Sequence, residues 1–358
     1  MIPVFKKRVD AFIELGKQLN KIAVTGKPDH LSPAGQALFH EILESQNKNP
    51  WFTTGNVKNA IKGLSIMLEE KKMHEWLKNY PVKDHSNPSK VAVVMAGNLP
   101  VVGFHDFMCV LLTGNYFLGK LSGQDKDLPV KIASLLTEIE PGFSSMIEFT
   151  EERISGFDAV IATGSNNTSR YFEYYFGKYP HIIRRNRNSI AILDGKETAG
   201  ELEALSDDIF MFFGMGCRSV SLIFVPHDYD LQLLLKSLSK WEFLKDNHKF
   251  YNNYEYQKAI YLVNIIEHYD TGFALLKEDI TMASPLAVLH YHKYNSFAEV
   301  IDFLKHQKEN IQCVVTRKNL QLNGVEKAGF GEAQNPGPAD YADGIDTLEF
   351  LMKLNIIK

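Results

Sequence analysis

Cysteine thiolates are the strongest side-chain nucleophiles near neutral pH, and this chain has three cysteines: Cys109, Cys217 and Cys313. They are far apart and odd in number, and they form no CxxC pair and no zinc-type spacing. Each must therefore act alone as a thiolate or serve as a small buried hydrophobe. Cys109 lies inside an amphipathic helical segment and Cys313 inside the apolar "IQCVV", where burial is expected. Cys217 differs. In "FFGMGCRSVSLIFV" (212–225), Gly214 and Gly216 lie just before it, and glycine lets a backbone approach a ligand closely. From the residues alone, Cys217 is either packed into a tight corner or held up on a loop as a nucleophile.

Four other stretches carry side chains that suit a ligand. "MAGNLPVVGFHDF" (95–107) ends an apolar run at Gly97-Asn98. A carboxamide there can donate to a developing oxyanion, or it can bond its own turn. "FLGKLSGQD" (117–125) places Lys120 at a strand exit, where it meets a nucleotide ribose or phosphate, or only solvent. "VIATGSNNTSRYFEYY" (160–175) sets Thr163-Gly164-Ser165 at the start of a helix. Free N–H groups and the helix dipole favour a phosphate at such a turn, yet Ser is also a common N-cap. "RRNRNS" (184–189) puts Arg184, Arg185 and Arg187 before a strand, facing either a phosphorylated ligand or water. His105, His181, His290 and His292 are candidate bases, and nothing in the sequence selects one.

These residues need a scaffold. The chain has 358 residues, 45% hydrophobic and 23% charged, which is enough for two domains with sizeable cores. Its net charge is −4 and its pI about 6.3, so it lacks the basic surplus of a general nucleic-acid binder. No apolar stretch is long enough for a transmembrane helix. The start, "MIPVFKKRVDAFIELGKQL", reads as an amphipathic helix, with Val4, Phe5, Val9, Phe12, Ile13 and Leu15 near helical spacing. It does not read as a signal peptide, and with unpaired cysteines a reduced, cytoplasmic setting is expected.

Residues 1–85 look helical, and "NYPVKDHSNPSK" (79–90) is a break. Apolar runs then alternate with helical stretches: "KVAVVMAG", "FHDFMCVLLTG", "NYFLGKLS", "LPVKIASLLTEI", "SSMIEFT", "FDAVIATGS", "NTSRYFEYYFGKY" and "SIAIL". That alternation predicts an α/β protein with doubly wound, mostly parallel sheets. It restarts with "SVSLIFVP" (219–226), which predicts a second α/β domain and a boundary near 195. The expected organisation is a helical region over 1–85, a Rossmann-like domain over 86–195, a cysteine-bearing domain over 196–340 and a C-terminal segment over 341–358.

The order of these pieces resembles the aldehyde dehydrogenase superfamily and, within it, the acyl-CoA reductases of the LuxC fatty-acid reductase family. "GNLPVVGFHDF…LLTGNYFLGKLS" stands where that superfamily has Asn-Phe-Pro and Lys-Pro-Ser, and "IATGSNNTSR" stands for its Thr-Gly-Ser turn. "FFGMGCRSVSLIFVP" stands for its catalytic-cysteine segment, and the resemblance runs from about 90 to 320. It implies that Cys217 is the acylated nucleophile and that Asn98 helps hold the oxyanion together with the Cys217 N–H. It implies that Lys120 and Ser122 contact the adenosine ribose or its phosphate, and that Gly97, Thr163, Gly164 and Ser165 lie by the cofactor pyrophosphate. Homo-oligomers are common in the family, so one is implied here.

Three departures refine the implication. Where hydrolytic relatives carry a water-activating Glu, this chain has Arg184 within "IIRRNRNSIAIL". A thioester on Cys217 should then survive until hydride or a second thiol attacks, which implies exchange with coenzyme A, with Arg184 and Arg185 near the phosphorylated substrate. Lys-Pro-Ser-Glu becomes Lys120-Leu121-Ser122-Gly123, so the Glu that binds the ribose hydroxyls of NAD is missing. That implies NADPH, with NADH as the alternative. Thr281 stands near the position where the family has the Glu of Glu-x-Phe-Gly-Pro, which normally contacts the nicotinamide ribose. The expected reaction is reduction of a fatty acyl-CoA to the aldehyde. The competing readings are a CoA-acylating aldehyde dehydrogenase run oxidatively, a non-reducing acyltransferase-like protein of the same fold, and a binding module in which Cys217 is merely buried.

Overall fold

Apolar residues at helical spacing build four helices before any strand appears: α1 (Phe5–Val24), α2 (Pro33–Lys48), α3 (Thr54–Met67) and α4 (Glu70–Leu77). The Ser32 and Thr53 hydroxyls cap α2 and α3 by accepting the N–H groups of Gly35 and Asn56, each at 3.2 Å. In α1 the residues Phe12, Leu15, Leu19 and Ile22 are fully buried, while Val4 precedes the helix and is exposed. The computed structural model describes residues 2–84, 87–320 and 324–354. Among the described residues no helix is long and apolar enough to cross a membrane.

The chain forms two compact units, 1–185 with 335–358, and 186–334. In the first, the apolar runs become β1 (Lys90–Val94), β2 (Tyr116–Lys120), β3 (Ile147–Thr150), β4 (Ala159–Thr163) and β5 (His181–Arg184). Helices α5 (Phe104–Leu112), α6 (Asp127–Ile139) and α7 (Asn166–Phe176) connect them. The sheet is parallel, in the order β3-β2-β1-β4-β5. Its three central strands, β2, β1 and β4, are apolar on both faces because both are covered. Val91, Val93 and Ile161 pack into the main core with the N-terminal helices, while Ala92, Leu118 and Val160 meet Phe172 and Phe176 of α7.

The second unit holds β6 (Asn188–Ile192), β7 (Val220–Pro226), β8 (Tyr269–Asp270), β9 (Leu275–Glu278), β10 (Val288–Tyr294), β11 (Ile311–Val315) and β12 (Glu326–Ala328). Its helices are α8 (Ala199–Phe210), α9 (Leu231–Leu238), α10 (His248–Val263) and α11 (Phe297–Gln307). The order is β12-β11-β6-β7-β10-β9-β8, and only β8 and β9 pair antiparallel. The chain then returns to the first unit with α12 (Thr347–Leu354).

Two sequence expectations change here. "SIAIL" does not close the first sheet: as β6 it pairs with β7 and β11, so the crossing falls between Arg185 and Asn186 and not near 195. Residues 335–340 belong with the first unit and not with the cysteine-bearing one. An apolar run states that a strand is buried, but not which sheet its N–H and C=O groups will join.

Candidate active site

The first sheet reverses its strand order between β1 and β4, since β2 and β3 lie on one side and β5 on the other. Ligands of open parallel sheets bind outside the carboxyl ends of strands at such a point. β1 delivers Gly97 and Asn98 there, β4 ends in Thr163 and continues into Gly164 and Ser165, and β2 ends in Lys120 with Ser122 just beyond. Residues read from three separate stretches therefore share one edge of one sheet. Asn98 is exposed between a buried Gly97 and a buried Pro100.

The local geometry answers several open alternatives. Ser165 is the N-cap of α7: its hydroxyl accepts the Thr168 N–H at 3.2 Å and lies 2.9 Å from the Thr168 hydroxyl. Gly164 is tightly enclosed: a Cβ there would press on the Thr168 and Phe172 side chains at 3.0 Å. At 97 a Cβ would collide with the Ser122 side chain, so the turns after β1 and β2 are in close contact. The Lys120 ammonium donates to the carbonyls of Glu151 (2.6 Å) and Leu121 (3.4 Å). Gly123 faces open space, and the Glu151 carboxylate pairs with Lys126 at 3.5 Å.

Arg184 does not face a ligand. Its guanidinium donates to both oxygens of Asp106 (2.6 and 2.8 Å) and to the Thr347 hydroxyl (2.9 Å), and all three side chains are buried. Burial, the largest single influence, would lower the Arg184 pKa, but the charge and hydrogen bonds of Asp106 together with other nearby acidic groups hold the group above its ordinary value. The strand β5 reaches as far as Arg184, and its alternation buries Ile182 and Arg184 together, while 185–187 form the loop to β6. Arg185 is exposed and paired with Glu173 at 2.5 Å. The half-buried His105 lies 2.9 Å from the Pro338 carbonyl, and desolvation of its ring lowers its pKa. His290 holds the Thr281 carbonyl at 2.7 Å, while the Thr281 hydroxyl donates to Asp279 at 2.7 Å. Neither histidine is presented as a base, and Thr281 is tied into its own turn.

In the second unit, α8 runs into a turn in which Phe212, Phe213 and Gly214 all take positive φ, at 55°, 60° and 71°. Two bulky residues in the left-handed region are costly and persist only where the surroundings hold them. Both phenylalanines are buried. The next turn is tight: the Ser219 N–H donates to the Gly216 carbonyl at 3.0 Å, and the Gly216 N–H donates to the Ser219 hydroxyl at 3.2 Å. The Ser189 hydroxyl donates to the Cys217 carbonyl at 2.9 Å.

Arg218 clamps the other side, donating to both oxygens of Glu326 and to the Ala333 carbonyl. Asp208 accepts the N–H groups of Gly331 (2.7 Å) and Ala333 (2.9 Å), and burial pushes its carboxyl up to about 7 against those bonds. Arg218, Glu326 and Asp208 carry no sequence signal of this role, because their partners lie more than a hundred residues away.

On this braced turn Cys217 is exposed, whereas Cys109 and Cys313 are buried. Burial pushes the Cys109 thiol well above its usual range and that of Cys313 up to about 11. Both burial and the raised pKa disfavour the reactive thiolate at those two positions. Burial therefore separates Cys217 from the other two cysteines.

Comparison with known proteins agrees with this architecture. The fold is similar to aldehyde dehydrogenase 21 from Physcomitrella patens in complex with succinate, at 13% identity and a TM-score of 0.64 over 99% of this chain and 85% of that one. It is similar to a Mycobacterium tuberculosis aldehyde dehydrogenase complexed with NAD+, at 12% identity and a TM-score of 0.61 over 91% and 77% of the two chains. It also resembles the P. syringae indole-3-acetaldehyde dehydrogenase AldA, at 14% identity and a TM-score of 0.59 over 87% and 71%. No curated protein matches the chain by sequence. The acyl-CoA reductase (LuxC) family profile matches residues 30–238, from the second helix through the Cys217 turn. This chain belongs to the LuxC family of acyl-CoA reductases.

Proposed function

We propose that the protein reduces a fatty acyl-CoA to the aldehyde through a thioester on Cys217, with NADPH as reductant. The observation that carries the reading is the contrast among the cysteines: Cys217 is exposed on a braced turn, while Cys109 and Cys313 are buried with raised pKa values. The Cys217 thiolate attacks the acyl carbonyl, and coenzyme A leaves as the thiol. The Cys217 N–H donates to the tetrahedral oxyanion, and the family resemblance assigns the Asn98 carboxamide the same role. Covalent capture divides one difficult step into two easier ones.

The residues at the β1/β4 crevice suit a dinucleotide: the turns after β1 and β4 carry small and polar residues, and α7 offers its N-terminus. When bound, NADPH supplies the hydride. Gly123 leaves open space where a carboxylate would repel a 2′-phosphate, and Lys120 lies at the neighbouring strand end. The Arg184 position offers no water-activating base, because the carboxylate it holds, Asp106, is buried in the same ion pair. The thioester therefore waits for hydride or for a thiol.

Palmitoyl-CoA with NADPH should oxidise the cofactor, and intact-mass measurement without NADPH should show the protein plus one acyl group, mapped to Cys217. Cys217→Ala should abolish both signals and still bind NADPH. Full turnover by Cys217→Ala would end this mechanism. An acyl adduct formed without any NADPH binding would turn the reading toward acyl transfer.

A further inference from the structure

The loop that carries Asn98 is held in a conformation its own sequence disfavours. Val101 sits at φ +56°, a region that β-branched residues rarely adopt. Such a backbone persists only where its surroundings over-determine it. Packing beneath the loop is incomplete, because Met95, Val101, Phe104, Pro129 and Phe149 are among the residues lining a void of about 10 Å³, barely the space one water needs. The restraint comes from the turn after β2. The Asp125 carboxylate accepts the Val101 N–H at 2.6 Å, and Gly97 lies tightly against Ser122 and the Asp125 N–H. Asp125 is 4% exposed, and its other oxygen has no partner among the described residues. A carboxyl group so placed is costly to bury, and the bond to Val101 offsets part of that cost.

We propose that Asp125 is a positioning residue: by holding the Val101 N–H it fixes the 97–101 loop and, with it, the exposed Asn98 carboxamide. The inference rests on the reading of Asn98 as an oxyanion donor. Asp125 itself touches no reacting atom.

The test is single-turnover acylation of the full-length protein by palmitoyl-CoA, quenched and read as the rate of appearance of the Cys217 adduct by intact mass. Asp125→Ala is expected to slow acylation roughly 10- to 100-fold, the scale of a misaligned catalytic group. The half-saturating palmitoyl-CoA concentration should not move. Asp125→Asn keeps an acceptor for Val101 and should restore most of the rate. In an Asn98→Ala background, Asp125→Ala should cost little more, because the two act through one group.

Should Asp125→Ala not fold by thermal melting, Asp125→Ser, too short to reach Val101, takes its place. If Asn98→Ala slows acylation but the Asp125 variants do not, Asp125 has no positioning role. Nor does it have one if their losses multiply in the Asn98→Ala background. If Asn98→Ala leaves acylation unchanged, the oxyanion reading itself falls, whatever the Asp125 variants do.

Discussion

The two parallel sheets reverse strand order in the same way but finish the resulting crevices differently. In the first, β1 and β4 end in glycine, asparagine and serine, and the nearby arginine, Arg184 of β5, is withdrawn into a buried pair with Asp106. In the second, the reversal lies between β6 and β11, and an arginine fills it. Arg317, just past β11, donates to both carboxylate oxygens of Asp194, just past β6, at 3.1 and 2.6 Å, and lies 3.5 Å from Glu201. The Thr316 hydroxyl donates to the Ile192 carbonyl at 3.0 Å. A crevice whose cation is already matched by carboxylates offers no surplus attraction to a dinucleotide. Strand order creates a place for a ligand, and the side chains at the strand ends determine whether that place is available.

The two arginine pairs give the sharpest way to break this comparison. Arg184→Leu leaves Asp106 buried and unpaired, and should cost about 3–5 kcal/mol by denaturant titration. Adding Asp106→Leu should recover a large part of that loss, and no recovery would mean that Arg184 stabilises by packing and not by charge.

A proton-linked effect comes next. Burial pushes the Asp125 carboxyl up to about 7, the Val101 N–H opposing and Asp127 and Glu41 adding to the rise. Lys48 pairs with both of those acids, at 2.7 and 2.8 Å. A carboxyl whose pKa is raised by folding contributes stability fully below about pH 4, and that contribution is lost as pH rises through about 7. Against Asp125→Asn, which cannot ionise, wild type should lose up to about 4 kcal/mol between pH 4 and pH 8. A flat difference between the two melting curves would place the Asp125 pKa near its ordinary value.

Gly123→Glu returns a carboxylate to the first crevice. The ratio of NADPH to NADH affinity should fall roughly tenfold or more, equivalent to about 1–3 kcal/mol. An unchanged ratio would move the 2′-phosphate away from this turn. The smallest effect is expected in the second crevice. Arg317→Ala removes a pair that is one-third exposed, so the melting temperature and NADPH affinity should stay close to wild type. Lost NADPH binding in that variant would make the second crevice part of the cofactor site and undo the comparison.

The apolar runs that became β1, β2, β4, β7 and β11 were legible because a strand buried on both faces is continuously apolar. β5 was not, since its second half carries a charge that a strand buries only with a partner. The Thr-Gly-Ser turn and Asn98 were legible as small and polar residues at strand exits. Asp125 was not, because a carboxylate three residues after a loop serine has the composition of solvated surface. Its burial depends on a loop some twenty-four residues earlier.

By itself, the sequence determined the elements and the order of the chemical groups along them, because helical and strand periodicities are local properties of a few consecutive residues. It also marked Cys217 as the cysteine with glycines close by. Only the tertiary structure decided which groups are neutralised and which are presented. Arg184 meets Asp106 across 78 residues, and β6 pairs in the second sheet. Cys109 and Cys313 are buried while Cys217 is not. The free energy of a charge or a thiol depends on the water and partners around it, and those are set by long-range packing, which no local pattern of residues encodes.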